Sequence, residues 1–179
     1  MALHKNISFD HLSEENQILK VKEDFNNIKY IDNPSEKVQL EFVREYPQFL
    51  DIIIEKGIIP SEQVQLEAVK RNLWAIKYIN NPSEQVQLEA VKQNIKSIFY
   101  IEKPEKEIVF YCITSSPDLL KIKEDQVPNQ KLKSNYFQKL PLNIQKMLIK
   151  TNPLFSTLIP NLHDSLKDSL YNLKNIGLF

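Results

Sequence analysis

The string P-S-E-Q-V-Q-L-E-A-V-K stands at residues 60–70 and again, letter for letter, at residues 82–92. Repetition of this kind fixes an architecture before any other property, because each copy folds alike and buries its apolar side against the next. Pro34, Pro60, Pro82 and Pro104 open four such stretches at intervals of 26, 22 and 22 residues. One step of 22 back from Pro34 reaches Leu12, where L-S-E-E-N-Q-I-L-K-V-K-E-D-F-N-N-I-K-Y-I-D-N follows the same template. Residues 12–125 therefore read as five repeats of about 22 residues. Four extra residues around Glu55, Lys56, Gly57 and Ile58 account for the longer first interval.

Each repeat predicts two short helices. Asn33 and Asn81 stand where an N-cap belongs, Pro34 and Pro82 follow at the first helical position, and Glu36 and Glu84 lie at the third. An Asn side chain accepts from free backbone N–H groups, a Glu three residues on reaches back, and proline loses nothing where its donor would be unpaired. The first helix is expected to stop near Asn72 or Asn94, residues tolerant of a left-handed cap. A second helix ends in I-K-Y-I at residues 28–31 and 76–79. Helices of ~10 residues are marginal alone, and Val86, Leu88, Ala90 and Val91 spread over a broad arc. The expected fold is all-α: an α-solenoid-like array of short helix-turn-helix repeats with a C-terminal helical extension.

Gln17, Gln39, Gln65 and Gln87 recur at one slot amid the apolar arc. The reading favoured by the need to satisfy buried amides is structural, each bonding loop backbone in an adjacent repeat. The alternative is a row of donors and acceptors along a ligand groove. Glu41, Glu67 and Glu89 share an outward slot, with Arg44, Lys70 and Lys92 three residues later, which suits surface ion pairs.

The unit N-P-S-E-Q-V-Q-L-E-A-V-K-Q-N followed by an I-x-Y-I helix resembles the short helical repeats with a V-Q-L-x-A-V core found in many bacterial and phage proteins of unknown function. The resemblance covers about residues 12–125, is best at 60–101, and implies an interaction scaffold with no catalytic residue. Its phage association implies one specific role: small phage proteins often bind and disable a host defence enzyme, as anti-CRISPR proteins do. Beyond Asp125 the template weakens, though residues 140–159 still match at Ile144, Gln145, Ile149, Lys150, Asn152 and Ile159. A further amphipathic stretch follows His163, with Asp164 placed to favour its N-terminus. The organisation is thus a lead-in at 1–11, five repeats at 12–125, and a basic extension or cap at 126–179 packed on the array.

Composition excludes several chemistries. With Gly57 and Gly177 as the only glycines, no phosphate-cradling loop or dinucleotide fingerprint is available. His4, His11 and His163 fall outside metal spacing, and one cysteine makes no zinc site. Cys112 shares a slot with Ala68 and Ala90, so it reads as a core thiol. A Cys–His nucleophile pair would require His163 or His11 folded against it. No apolar run approaches the ~18 residues of a membrane span, and the stretch M-A-L-H-K-N-I-S-F-D-H, lacking an apolar core, is not expected to act as a secretory signal. The expectation is no enzyme, no cofactor, no metal, no membrane contact and no small-molecule substrate, in the cytoplasm of a bacterial host cell.

Informative residues are those that break the template. The slot of Asn26, Gln48, Lys96 and Asp118 holds Trp74 in the third repeat, and the slot of Lys29, Asp51, Lys77 and Lys121 holds Phe99 in the fourth. Three apart on neighbouring second helices, Trp74 and Phe99 with Lys96 are expected to form an aromatic docking patch; the alternative is that one ring covers a packing gap. The second departure is charge. Residues 1–118 carry a net −5 and residues 119–179 a net +5, and no acid occurs between Gln126 and His163. Lys131, Lys133, Lys139, Lys146 and Lys150, with Tyr136 and Phe137 interleaved, suit a phosphate backbone with stacked bases. A solvated helix face, an acidic protein or the guide-RNA channel of a nuclease fits the same lysines. The leading function is a non-catalytic protein-binding repeat array, a phage or mobile-element inhibitor of a CRISPR-type effector, with a nuclease or ribonucleoprotein as partner. Direct RNA or DNA binding through 126–163 is the alternative.

Overall fold

The structure, a computed structural model, describes residues 7–121, 140–151, 155–159 and 161–167. Every regular element among them is helical: α1 (Glu14–Glu23), α2 (Glu36–Glu45), α3 (Leu50–Glu55), α4 (Glu62–Arg71), α5 (Glu84–Gln93), α6 (Lys106–Ser115), α7 (Leu142–Thr151) and α8 (Phe155–Leu158). The all-α expectation holds. The second helix of a repeat is a 3₁₀ turn at Phe25–Tyr30, Leu73–Lys77, Ile95–Tyr100 and Pro117–Lys121. Short 3₁₀ pieces of this kind commonly serve as connectors between α-helices. Among the described residues, only in the second repeat does a 3₁₀ turn, Pro47–Phe49, run on into an α-helix, α3.

The chain divides into two compact bodies, Met1–Ser97 and Ile98–Phe179. In the first, α1 packs on α2, α2 on α4 and α4 on α5; in the second, α6 packs on α7 and α7 on α8. The expected boundary at 125/126 lies outside the described residues. Part of the lead-in is tied to the first repeat, where Phe9 N donates to Tyr30 O at 2.7 Å and Asp32 N to the Asp10 carboxylate at 2.8 Å. Equivalent positions are buried in each body: in the first, Val38, Val64 and Val86 at the third helical residue and Val21, Val43, Val69 and Val91 at the eighth; in the second, Ile108 and Ile113 at the third and eighth residues of α6. Leu88 is half-buried.

The caps differ from the sequence expectation by two residues. Ser35, Ser61 and Ser83 are the N-caps, each accepting from the N–H of the valine three residues on. Asn33 and Asn81 lie outside the helix, Asn81 with φ 49°, and Glu36 and Glu84 occupy the first helical position rather than the third. A glutamate there cannot reach back to close a capping box. It reaches sideways instead. Ser35 Oγ donates to Glu14 Oε1 at 2.5 Å, and Ser61 Oγ and Ser83 Oγ donate in the same way to Glu36 and Glu62 of the preceding helix. The hydroxyl's acceptor capacity closes its own helix and its single proton closes the joint to the previous one.

The far ends are laced too. Last-turn carbonyls have no partner inside a helix. Those of Lys22, Arg44 and Val69 accept from Tyr46 Oη at 2.8 Å, Arg71 Nη1 at 3.2 Å and Gln93 Nε2 at 3.0 Å of the next repeat. Asn72 and Asn94 do not adopt left-handed caps. Both are extended, and their side chains accept from Trp74 N and Lys96 N, starting the 3₁₀ turns.

The glutamine slot is structural: Gln17 Nε2 donates outside its repeat, to Phe9 O in the lead-in at 3.1 Å, whereas the bond stays inside the repeat in the next three. Gln39, Gln65 and Gln87 donate through Nε2 to the carbonyls of Pro34, Pro60 and Pro82 at 2.8–2.9 Å. Gln145 does the same to Leu140 O at 2.7 Å, which places α7 on the repeat template. Along the surface, charges link successive helices: Lys22 pairs with Glu41 at 2.6 Å, Glu41 with Arg44 at 2.5 Å, Arg44 with Glu67 at 3.5 Å, and Glu67 with Arg71 at 2.6 Å. Glu67 thus pairs four residues on, with Arg71, and not with Lys70. Glu89 accepts from Gln93 and not from Lys92 in this pattern.

Two consequences are measurable. Ser83→Ala removes a cap and a joint together, so urea denaturation is expected to show a loss of ~1 kcal/mol or more. In a double-mutant cycle with Glu62→Gln the two changes are expected to be non-additive; simple additivity would dissolve the proposed joint. Hydrogen bonds from Lys22 and Arg44 hold the Glu41 carboxyl below the ordinary 4.5, and Arg71 does so for Glu67. A depressed folded pKa gives stability that is full above the unfolded value and is lost as pH falls through the folded one. The urea midpoint should therefore drop as the pH is lowered through and below the ordinary carboxyl value, and drop less in Glu41→Gln/Glu67→Gln.

Candidate interaction surface

Trp74 sits on the 3₁₀ turn Leu73–Lys77, started by the Asn72 side chain. A 3₁₀ turn repeats every three residues, so the side chain three on lies over the same face. That residue is Lys77, whose Nζ stands 4.0 Å from the centre of the indole ring. The ring faces its cation on one side and remains 46% exposed. A half-exposed indole oriented by a cation presents a large apolar area. The pairing was readable in L-W-A-I-K, yet the sequence reading assigned Lys77 only to a template slot.

Phe99 is not part of an exposed patch. It is 2% exposed, within a run of three buried residues, Ser97, Ile98 and Phe99. The equivalent Lys29 and Lys121 are exposed, because ammonium groups stay in water, whereas an aromatic ring at the same slot gains by turning inward. The expected aromatic patch of Trp74 and Phe99 therefore reduces to Trp74. Lys96 is exposed, with its backbone N–H held by Asn94 Oδ1 at 3.0 Å.

Of the basic candidates, Lys146 and Lys150 lie on α7, four residues apart, and both are exposed. A spacing of four puts them on one face. Lys131, Lys133, Tyr136, Phe137 and Lys139 lie outside the described residues.

A concavity that sequence reasoning did not single out occurs beside the four-residue insertion. Ile54, Ile58, Ile59, Pro60, Gln65, Ile79, Asn80 and Asn81 line a pocket of about 320 Å³. The insertion turns at Lys56 and Gly57, where φ of +80° calls for glycine, and Lys56 Nζ is tied back to Lys29 O at 3.1 Å. The signal was present as the 26-residue interval.

The thiol and the imidazole lie elsewhere. Cys112 is completely buried in α6 and burial pushes its thiol up to about 12, so the nucleophilic thiolate is suppressed. His163 is exposed, its Nδ1 bonded to Ser165 Oγ at 2.8 Å, and its backbone N–H donates to Gln145 Oε1 at 2.9 Å. Cys112 and His163 do not form a pair. Among the described residues no group of three or more His, Cys, Asp or Glu is arranged to hold a metal ion, and no helix is long and apolar enough to cross a membrane. Searches against protein-family models, curated proteins and solved structures gave no match to this chain.

In the folded protein near neutral pH, Cys112 is expected to resist a disulfide thiol reagent and to react at once when urea unfolds the chain. Rapid stoichiometric labelling under native conditions would contradict its burial.

Proposed function

We propose that this chain is a non-catalytic helical-repeat binding protein that acts by occupying a protein partner. The observation that carries this reading is Trp74: a half-exposed indole, oriented by Lys77, at a slot where other repeats hold Asn26, Gln48 and Lys96. Anchors of this type commonly contribute about 2 kcal/mol or more to an interface when buried by a partner. The surrounding array offers a scaffold held at both helix ends, which presents the ring without a large ordering cost on association.

The resemblance to V-Q-L-x-A-V repeats of bacterial and phage proteins supports a bacterial cytoplasmic setting. It extends the proposal to a phage or mobile-element inhibitor of a CRISPR-type effector, a nuclease or ribonucleoprotein that the chain blocks by contact. A second reading, direct binding of RNA or DNA, is favoured by Lys146 and Lys150, exposed on an α7 that carries no acid.

Affinity capture from a bacterial lysate, with and without nuclease and followed by mass spectrometry, separates the two. The first reading expects a stoichiometric protein that survives nuclease and is lost with Trp74→Ala, while the urea midpoint of that variant stays close to the parent's. Recovery only through nucleic acid, weakening steeply with salt, would replace it by the second reading.

A further inference from the structure

Three kinds of side-chain contact run from helix to helix in the N-terminal body. Serine–glutamate joints link α1 to α2, α2 to α4 and α4 to α5. Tyr46, Arg71 and Gln93 close last-turn carbonyls of the preceding helix. Lys22, Glu41, Arg44, Glu67 and Arg71 form the surface chain of ion pairs. The next copy of the template rewrites the positions that all three depend on. P-S-E at Pro34, Pro60 and Pro82 becomes P-E-K at Pro104. The serine slot there holds Glu105, and the glutamate slot holds Lys106, the first residue of α6. A carboxylate only accepts and an ammonium only donates. The exchange removes both the donor that reaches backward and the acceptor that receives from ahead. Lys106 pairs instead with Glu107 of its own helix at 3.5 Å.

The other two contacts lose their residues in the same copy. The slot of Arg71 and Gln93 holds Ser115, whose hydroxymethyl group lacks their reach, and the slot of Glu41, Glu67 and Glu89 holds Tyr111, which offers no carboxylate. The change persists in α7, where Pro141 and Leu142 stand at the serine and glutamate slots and neither side chain can make a joint. In the second body α6 packs on α7, and both bury apolar residues: Ile108, Val109, Cys112 and Ile113 of α6, Ile144 and Leu148 of α7. The division between the bodies, at Ser97 and Ile98, falls just before the rewritten stretch. Residues in one hydrogen-bond network are energetically coupled, whereas those without shared partners respond independently, and such cooperative units often coincide with blocks of neighbouring elements. We infer that Pro104, Glu105 and Lys106 mark a breakpoint built into the array: the C-terminal body opens and closes as a unit of its own, while the N-terminal body, with Trp74, keeps its fold. The inference stands apart from the partner reading.

Each body carries one natural reporter, since the chain has a single tryptophan, Trp74, and a single cysteine, Cys112. The test titrates the full chain with urea. Trp74 emission follows the first body, and pulse labelling of Cys112 with a disulfide thiol reagent follows the second. Ser61→Ala, which breaks a joint, is expected to lower the Trp74 midpoint by about 0.5 M and to leave the Cys112 midpoint in place. Ile113→Val, which trims the buried face of α6, is expected to lower the Cys112 midpoint by about 0.5 M and to leave that of Trp74. In a third chain, Glu105→Ser/Lys106→Glu, P-S-E stands again at Pro104, and there Ser61→Ala is expected to move both probes. A shift of both probes by either single variant in the parent chain would overturn the inference, because the chain would then unfold as one unit. So would a Ser61→Ala that moves neither probe, or a rewritten chain in which it still moves Trp74 alone.

Discussion

A serine hydroxyl does two jobs at each joint of the N-terminal body, and the packing there depends on both. Ser35, Ser61 and Ser83 accept from the third N–H of their own helices and donate to Glu14, Glu36 and Glu62 of the helices before. Helices of ten residues have little stability alone. Coupling the cap to the inter-helix contact makes each helix form best when its neighbour is already formed. Each glutamate carboxylate also lies at a helix N-terminus, where negative charge is favoured. At the opposite ends, Tyr46, Arg71 and Gln93 close the carbonyls of the preceding helix, so the apolar stack of valines is framed by hydrogen bonds above and below.

Much of this was legible in the sequence because it is periodic. The repeat length, the helical class, the buried valines and the glutamine slot follow from residues recurring at fixed offsets. The cap register was not legible. In N-P-S-E both Asn and Ser are competent caps, and the choice between them turns on whether the glutamate finds its donor in its own helix or in the adjacent one. That is a tertiary question. The same holds for Glu67, which pairs with Arg71 and Arg44 rather than Lys70. Phe99 illustrates a different limit. A slot defined by lysines says where the backbone lies, not where a ring placed there will turn. Trp74 was visible as an oddity, whereas its orientation by Lys77 required the 3₁₀ geometry of the turn.

The second repeat departs from its fellows in several ways at once. It carries Phe42 where the third and fourth repeats have Ala68 and Ala90, runs its second helix on as α3, and ends in the extra residues that border the pocket. It also leaves Gln39 Oε1 buried without a hydrogen-bond partner among the described residues. Gln145, in the same slot of α7, uses that oxygen to accept from His163 N in the following loop. An unmet buried acceptor costs roughly 1–3 kcal/mol. The comparison places that cost in the repeat that precedes the lengthened loop, where the local pattern is traded for a recess.

The sideways reach of the glutamates bears on how such a chain changes length. Each joint needs only a glutamate at the start of one helix and a serine before the next, and both belong to the recurring P-S-E. Were residues 61–82 lost as a block, Pro60 would run directly into Ser83, restoring P-S-E and offering Ser83 to Glu36 as Ser61 was offered before. The joint is therefore a standard fitting. A lineage carrying it can add or drop whole helical steps without inventing a new contact, and its distinguishing features accumulate in the steps that stop matching.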